Sequence, residues 1–500
     1  MRPQATLARN KINPWELRRE IKMQAQINKR AHASVRRLLA GAFLGSVLVS
    51  MAAPARAAAA TPPEAWTAPT IAVVGGRIID GYGQAPIENG TVLIKGERIV
   101  AVGSKSEVPV PADAKIIDAS GRTVIPGMIE PHAHLITLGD GDYPRWFKWL
   151  DQHKDKYPLE KIMEISARQL LVSGITTAVD LGAPLEPSLQ IRDRIKKGEV
   201  MGPRLMVSGP WIIEKAAIFP DASSRVVGHS VEAATKATQA NVDAGVDIIK
   251  VHMGINAEQY KAITDVAHKA GILVTAHINE EDDIWNALKA HVDILQHVGS
   301  ASRPTYSDAL VKAVVNSNTA VVPTAASSGS LPATVKFPER LQDPILKTLT
   351  PPDIWAEMQD SFKDYRRLGY FRNPDKADLL RTDSLKQWLF SGANFGIGTD
   401  NGVPLTFHTD ALWMLGKIYT SLGVSPMWVI DHMTRINASI LHKNDVGTIE
   451  PGKYADLVIL RGDPLNDLAA LANVETVIKN GEVYKGGLTL SFEDKDGQSK

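Results

Sequence analysis

Cysteine is absent from all 500 residues. That excludes disulfides, thiolate metal sites, a cysteine nucleophile and a cysteine-borne lipid anchor. Any metal must be held by His, Asp, Glu or a less usual donor. Aromatic residues are scarce at 6%, and neither sign of charge prevails, the formal net charge being +1. The charge is unevenly spread. Residues 1–57 carry 11 Lys and Arg against 2 Asp and Glu, and the remainder carries 45 against 53, or −8. A mildly acidic body with few aromatics argues against a phosphate-backbone partner, so no nucleic acid is expected. What is present, 44% hydrophobic and 22% charged residues, is globular composition. The length calls for more than one structural unit.

The apolar run Leu38–Ala53 falls short of the about 20 residues that span a membrane. Basic residues up to Arg36-Arg37 precede it, and the small-x-small triplet Ala55-Arg56-Ala57 follows. This is the order of a secretory signal, so residues 1–57 are expected to be a signal peptide cleaved after Ala57. The mature protein is expected to be periplasmic or secreted by a bacterium, with no stable membrane anchor. Export is by the Sec or Tat route, since Ser34-Val35-Arg36-Arg37-Leu38-Leu39 loosely resembles a twin-arginine signal with its serine one place early. Residues 58–68, rich in Ala, Pro and Thr, read as a flexible leader.

Residues 69–125 read as short strands punctuated by Gly75-Gly76, Glu88-Asn89-Gly90 and Lys95-Gly96-Glu97. The same character returns near the end, with Asn480-Gly481 as a hairpin signal. Residues 69–125 and 446–490 are therefore expected to form one composite β-sandwich, with 491–500 a tail. Between them, residues 126–445 alternate apolar strands with helical patterns. The strands are Gly127–Leu135, Thr176–Leu181, Arg204–Gly209, Asp247–His252, Leu273–His277, Ile294–Val298, Ala320–Thr324 and Phe395–Thr399. Helices are expected at Pro158–Val172, Ala257–Lys269, Asp375–Ser391 and from a Ser230 cap through Asp243. That count and size is an α/β fold of the (β/α)8, or TIM-barrel, type.

In such barrels chemistry sits at the C-terminal strand ends. The first strand ends in Glu130-Pro131-His132-Ala133-His134, with both histidines on one face. Lys250 stands in an apolar run, and His277, His297 and Asp400 close the fifth, sixth and eighth strands. Any one of these histidines alone would read as a core or surface residue; together they read as a metal centre.

Val124-Ile125-Pro126-Gly127-Met128-Ile129-Glu130-Pro131-His132-Ala133-His134 resembles the first-strand signature of the amidohydrolase superfamily, in its imidazolonepropionase-like and prolidase-like branch. Glu130 stands where Asp is more usual. Val446–Leu460 resembles the family's return into its sandwich. The resemblance implies that His132, His134 and Asp400 hold one divalent metal, and His277 and His297 a second. Lys250 matches the position carboxylated in binuclear relatives, where the carbamate bridges the ions. A lysine beside two cations loses its proton readily. The alternative is an unmodified Lys250 paired with an acid and a single metal. Zinc is the default for such ligands. Asp400 would orient the attacking water, take its proton and pass it to the leaving group.

His252, two residues after Lys250, and His408, after the eighth strand, are candidate substrate contacts. Gln296 and His291 read as structural. The segment 328–373 exceeds the usual loop length and reads as a lid with an aromatic wall. The small-molecule reaction expected is hydrolysis of an amide or peptide-like bond, of dipeptide or N-acyl amino acid type. Lactone, carbamate or organophosphate ester hydrolysis and a non-catalytic binding scaffold are the alternatives. The family often forms homo-oligomers.

Overall fold

The computed structural model describes residues 70–140, 142–216, 219–299, 305–325, 342–363, 374–409 and 411–485. The expected signal peptide, leader and tail lie outside the described residues, as do Pro332, Pro338, Tyr365, Tyr370 and Phe371 of the expected lid. No helix among the described residues is long and apolar enough to cross a membrane.

The two ends of the chain meet in one eight-stranded sheet. Thr70–Ile78 pairs antiparallel with Ile87–Lys95 and parallel with Lys115–Asp118 and then Arg122–Pro126. Leu457–Arg461 lies antiparallel to Arg122–Pro126, from Leu457 opposite Pro126 to Arg461 opposite Arg122. Val73, Ile78, Val92, Ile94, Val124, Leu457, Ile459 and Ile478 form its core from both halves of the chain. The Asn480-Gly481 turn has positive φ at both residues, 51° and 75°, as a two-residue hairpin requires. A Cβ at Gly481 would lie 2.0 Å from the Gly96 carbonyl oxygen, so only glycine fits. In hydrogen-bonding terms the expected sandwich is one continuous sheet.

Two parallel sheets lie between these ends. One orders Met128–Ala133, Ile175–Asp180 and Arg204–Val207, and the other runs from Ser224–Val226 through Trp211–Ile213, Ile248–Val251, Leu273–His277, Ile294–Gln296 and Ala320–Val322 to Asn394–Phe395. Helices Leu159–Val172, Val231–Asp243, Ala257–Lys269 and Pro374–Leu389 fall where the periodicity predicts. Ser230 caps the second of these by accepting from Ala233 N, and Asn256 with Gln259 makes a capping box on the third. Ile129, Val179, Met206, Ile248, Ile294 and Val322, drawn from both parallel sheets, pack as one buried cluster. Backbone hydrogen bonds also join the sheet margins: Asp400 N–H to His132 O and Asp247 N–H to Val207 O, both 2.9 Å. These features fit a TIM-like barrel.

Two elements differ from expectation. The eighth strand is only Asn394–Phe395; Gly396 N–H still reaches Val321 O (2.8 Å), but beyond it backbone groups bond to side chains instead of a ladder. Ile397 N–H donates to Asn437 Oδ1 (3.0 Å) and Thr399 N–H to Glu130 Oε1 (3.0 Å). The short strand Trp211–Ile213 was not expected; it enters the sheet beside the Lys250 strand.

Candidate metal centre

His132 and His134 reach one carboxylate oxygen. Their Nε2 atoms lie 3.2 and 3.0 Å from Asp400 Oδ1. Asp400 has φ of 60°, and His297 has φ of 70°. This left-handed backbone breaks strand alternation and turns both side chains toward the first strand. His297 Nδ1 lies 3.8 Å from Asp400 Oδ2 and 2.8 Å from Thr324 Oγ1. One donor atom each from His132, His297 and Asp400 lies within 4.8 Å of the others.

The remaining candidates extend this group into a circle. Ring centroids are 5.2 Å apart for His134–His132, 4.8 Å for His132–His297, 4.1 Å for His297–His277 and 4.3 Å for His277–His252. His252 stacks on Trp211 at 4.6 Å, and Trp211 returns to His134 at 5.9 Å. Lys250 lies close enough to His132, His252, His277 and His297 for its charge to lower their pKa values. All six nominated ligands and His252 thus come together at one end of the parallel strands.

Burial sets the charge states. It brings His132 down to about 4 and His252 to about 3. His277 and His297 fall well below their ordinary value, again mainly through burial. These four imidazoles are therefore neutral at pH 7, with lone pairs available. Burial, opposed by Asp400, lowers Lys250 to about 7, which makes the free amine accessible near neutrality.

These donors suit a cation. Gln296 Nε2 donates to Thr275 Oγ1 (3.0 Å), which leaves Gln296 Oε1 to accept from His132 Nδ1–H (2.8 Å). His132 Nε2 is then a lone pair facing a carboxylate oxygen, a repulsive contact that a cation between them relieves. His132 Nε2, His134 Nδ1, Lys250 Nζ and Asp400 Oδ1 are all buried without a hydrogen-bond partner. Such a concentration of unsatisfied groups calls for another species.

Several supporting residues escaped the sequence reading. Gln296, read as structural, sets the His132 tautomer, a typical role for a neighbour of a metal ligand. Glu130, noted only as a departure from the usual Asp, clamps strand ends together. Its carboxyl accepts from His132 N, Thr399 N and Thr399 Oγ1 at 2.9, 3.0 and 2.6 Å. Burial raises it to about 8. Trp211 gave no signal beyond being an aromatic residue in a short apolar run. Its indole N–H donates to Leu181 O, and Gly182 must lack a side chain because a Cβ there would meet that nitrogen at 1.8 Å. Phe219, 4.5 Å from Trp211 and 4.9 Å from Tyr143, completes an aromatic wall beside His134.

His408 is placed otherwise than a substrate contact. It is sealed, and its Nε2–H donates to His134 O (3.2 Å), so it supports the first strand's end. His291 lies in a left-handed turn with φ of 59°, outside the circle of rings. The described part of the expected lid is a packed excursion. Ile354, Met358 and Phe362 bury against Trp146, Leu405 and Phe407, and Arg145 bonds Glu357 and Asp360.

Comparison with known proteins supplies the context. Residues 123–484, well over half the chain, match the model of the amidohydrolase family. The imidazolonepropionase of Alkaliphilus metalliredigens is 23% identical, over 79% of this chain and 90% of that protein. A shorter stretch is 34% identical to the 5-methylthioadenosine/S-adenosylhomocysteine deaminase of Symbiobacterium thermophilum, covering 28% of this chain and 35% of the deaminase. The crystal structure of a putative prolidase from Bifidobacterium longum superposes with a TM-score of 0.64 at 26% identity, over 83% of this chain and 94% of that one.

Proposed function

This chain belongs to the amidohydrolase family and is a hydrolase acting on carbon–nitrogen bonds; from that premise we propose a binuclear enzyme that cleaves amide or peptide-like bonds, of dipeptide or N-acyl amino acid type. The observation that carries this reading is the circle of buried imidazoles with Lys250 and Asp400 among them. His132, His134 and Asp400 would hold one divalent ion, by default zinc, and His277 and His297 a second, with carboxylated Lys250 between. The closed (β/α)8 barrel and the composite β-sandwich belong to the same reading. So does export, on the strength of the basic, apolar and small-residue order in residues 1–57.

Divalent ions bound there supply Lewis-acid polarisation of the substrate carbonyl and a water acidified from about 15.7 toward about 7. The chain's own residues do the rest. Gln296 keeps His132 in the tautomer that presents Nε2. Glu130 fixes the backbone of His132 against that of Thr399, and so sets where the Asp400 carboxylate stands. Asp400 takes the proton of the attacking water and delivers it to the departing nitrogen, which cannot leave as an anion. Trp211 and Phe219 shield one side of this transfer from solvent.

The test is metal content per chain, measured on wild type and Lys250→Ala, followed by an amide panel of dipeptides and N-acyl amino acids. Two ions in the wild type, with loss in the variant, are expected, and ¹³C-bicarbonate should label Lys250. One ion unaffected by the substitution overturns the bridged pair. A fully loaded protein inert on the whole panel overturns the amide reading.

A further inference from the structure

A cavity of about 380 Å³ lies apart from the circle of rings, and no candidate metal ligand lines it. It is bounded by the end of the Leu159–Val172 helix, the short helix Pro344–Thr348, Thr409 and the Leu468–Ala472 turn that leads into the eight-stranded sheet. Val172, Leu349, Leu471 and Val474 supply apolar walls, and Ile345, 55% exposed, stands at the mouth. An apolar cavity of about 150 Å³ takes up benzene, so this one has room for a molecule of two rings.

Three observations define the occupant. First, none of the described residues that line the cavity carries a charge. A charged group would lose its hydration there and find no counter-ion. Second, two of the three lining hydroxyls are engaged. Ser173 Oγ donates to Gln169 O and Thr348 Oγ1 to Pro344 O, both at 2.7 Å. The third, Thr409 Oγ1, is buried without a partner, which costs free energy. Third, a smaller void of about 10 Å³ shares Ser173, Thr409 and Leu471 with the cavity and is also lined by His408. It has room for about one water-sized group. His408 is 1% exposed; its Nε2–H donates to His134 O, and its Nδ1 has no partner. With the ring proton on Nε2, Nδ1 can only accept. The polar end of an occupant must therefore donate a hydrogen bond, which a hydroxyl does and an ether does not.

We propose that this cavity is a second small-molecule site, separate from the metal centre, for an uncharged alcohol or phenol with an apolar body. The body fills the space between Val172, Leu349, Leu471 and Val474, and the hydroxyl serves Thr409 Oγ1 and His408 Nδ1. The inner end of the site adjoins the ring that holds the His134 carbonyl. An occupant thus engages a support of the metal centre without touching a metal ligand. The site stands independently of the amide-hydrolase reading.

The experiment uses the full chain, metal-loaded and metal-stripped, and three probes of one shape: 2-naphthol, its methyl ether and 2-naphthoate. Calorimetry is expected to show one 2-naphthol per chain in both forms of the protein. The ether, which cannot donate, and the carboxylate, which brings a charge, should each bind at least about tenfold more weakly. Thr409→Val keeps the shape of the side chain and removes its hydroxyl; the preference for 2-naphthol over the ether should narrow to within about threefold. Ala472→Phe places a ring in the cavity and should abolish binding of all three probes. Circular dichroism checks that both variants fold, and if Ala472→Phe does not, the narrowed preference in Thr409→Val decides alone. No binding of 2-naphthol, equal affinity for the alcohol and its ether, or a preference unchanged in Thr409→Val overturns the site. So does binding to the metal-loaded form only, which would put the naphthol on the metal, or binding that survives in folded Ala472→Phe.

Discussion

Lys479 and Lys250 are both sealed, at 6% and 1% exposure, yet their surroundings differ. Lys479, in the eight-stranded sheet, donates to Gly202 O at 2.7 Å, and the attraction of Asp456 opposes the loss of its charge on burial. Asp456 is itself satisfied by Arg204 at 2.6 Å and by Asn480 N–H at 2.9 Å. Lys250, among the parallel strands, has no hydrogen-bond partner among the described residues. The contrast extends to the regions. Among the described residues of the sheet, Thr91 Oγ1 is the lone buried side-chain polar atom left unpaired, whereas the circle of rings holds several. Where folding alone decides, buried polar groups find partners within the chain. Where they do not, the structure is shaped for something the chain does not itself contain.

Asp400→Asn strikes the unsatisfied region hardest. The amide is isosteric but cannot carry a proton from water to the leaving nitrogen. A fall in kcat of about 10²–10⁴ is expected, with circular dichroism unchanged. Activity within about tenfold of wild type would remove the proton-transfer role and leave Asp400 as a ligand only.

The lysines themselves test the comparison through the sign of a stability change. In metal-stripped protein, Lys250→Met removes a buried amine that has no partner, so unfolding by urea should become harder by about 1–3 kcal/mol. Lys479→Met leaves Gly202 O without its donor and takes away the second positive charge near Asp456, beside that of Arg204, so unfolding should become easier by about 1–3 kcal/mol. The same sign for both would break the distinction. Adding zinc should then stabilise wild type and fail to stabilise Lys250→Met. Gln296→Leu should act more mildly. It frees the His132 tautomer, and zinc affinity is expected to fall by about 10–100-fold while the apo fold holds.

How much of this was legible depends on which physical signal each residue leaves. The metal-ligand candidates were readable because each ends an apolar run, and alternation puts His132 and His134 on one face. The meeting of the two chain ends was readable because Asn480-Gly481 and the Val446–Leu460 stretch carry local turn chemistry and a family pattern. Gln296 was not readable. It precedes a residue in left-handed backbone, where strand alternation no longer says which way a side chain points. Glu130 looked like a conservative replacement, and its bonds to Thr399 span 269 positions of sequence. Trp211 lies in a three-residue strand, too short for any periodicity. His408 was read toward the substrate because it follows the eighth strand, but its partner is a backbone carbonyl, and backbone carbonyls leave no mark on sequence.

The smallest expected effect concerns Asp180, which belongs to the unsatisfied region without being a proposed ligand. It closes the Ile175–Asp180 strand fully buried; Oδ1 accepts from Leu135 N–H at 3.0 Å and Oδ2 has no partner. Burial raises its pKa to about 6 from an ordinary 3.8, against the pull of the Leu135 N–H and of His134. The folded state therefore binds this proton more tightly than the unfolded chain does. Its contribution to stability is whole below the unfolded value of 3.8 and is lost as pH rises through about 6. Asp180→Asn keeps the acceptor for Leu135 and has no charge to bury. In metal-stripped protein at about pH 7.5 the variant should be more stable than wild type by on the order of 1–2 kcal/mol, and at about pH 4 the gain should vanish. Metal loading should shrink the gain at the higher pH, because a cation near His134 stabilises the ionised carboxylate. A gain that ignores metal would mean that Asp180 is merely a buried acid of the scaffold, and the unsatisfied region would end at the circle of rings.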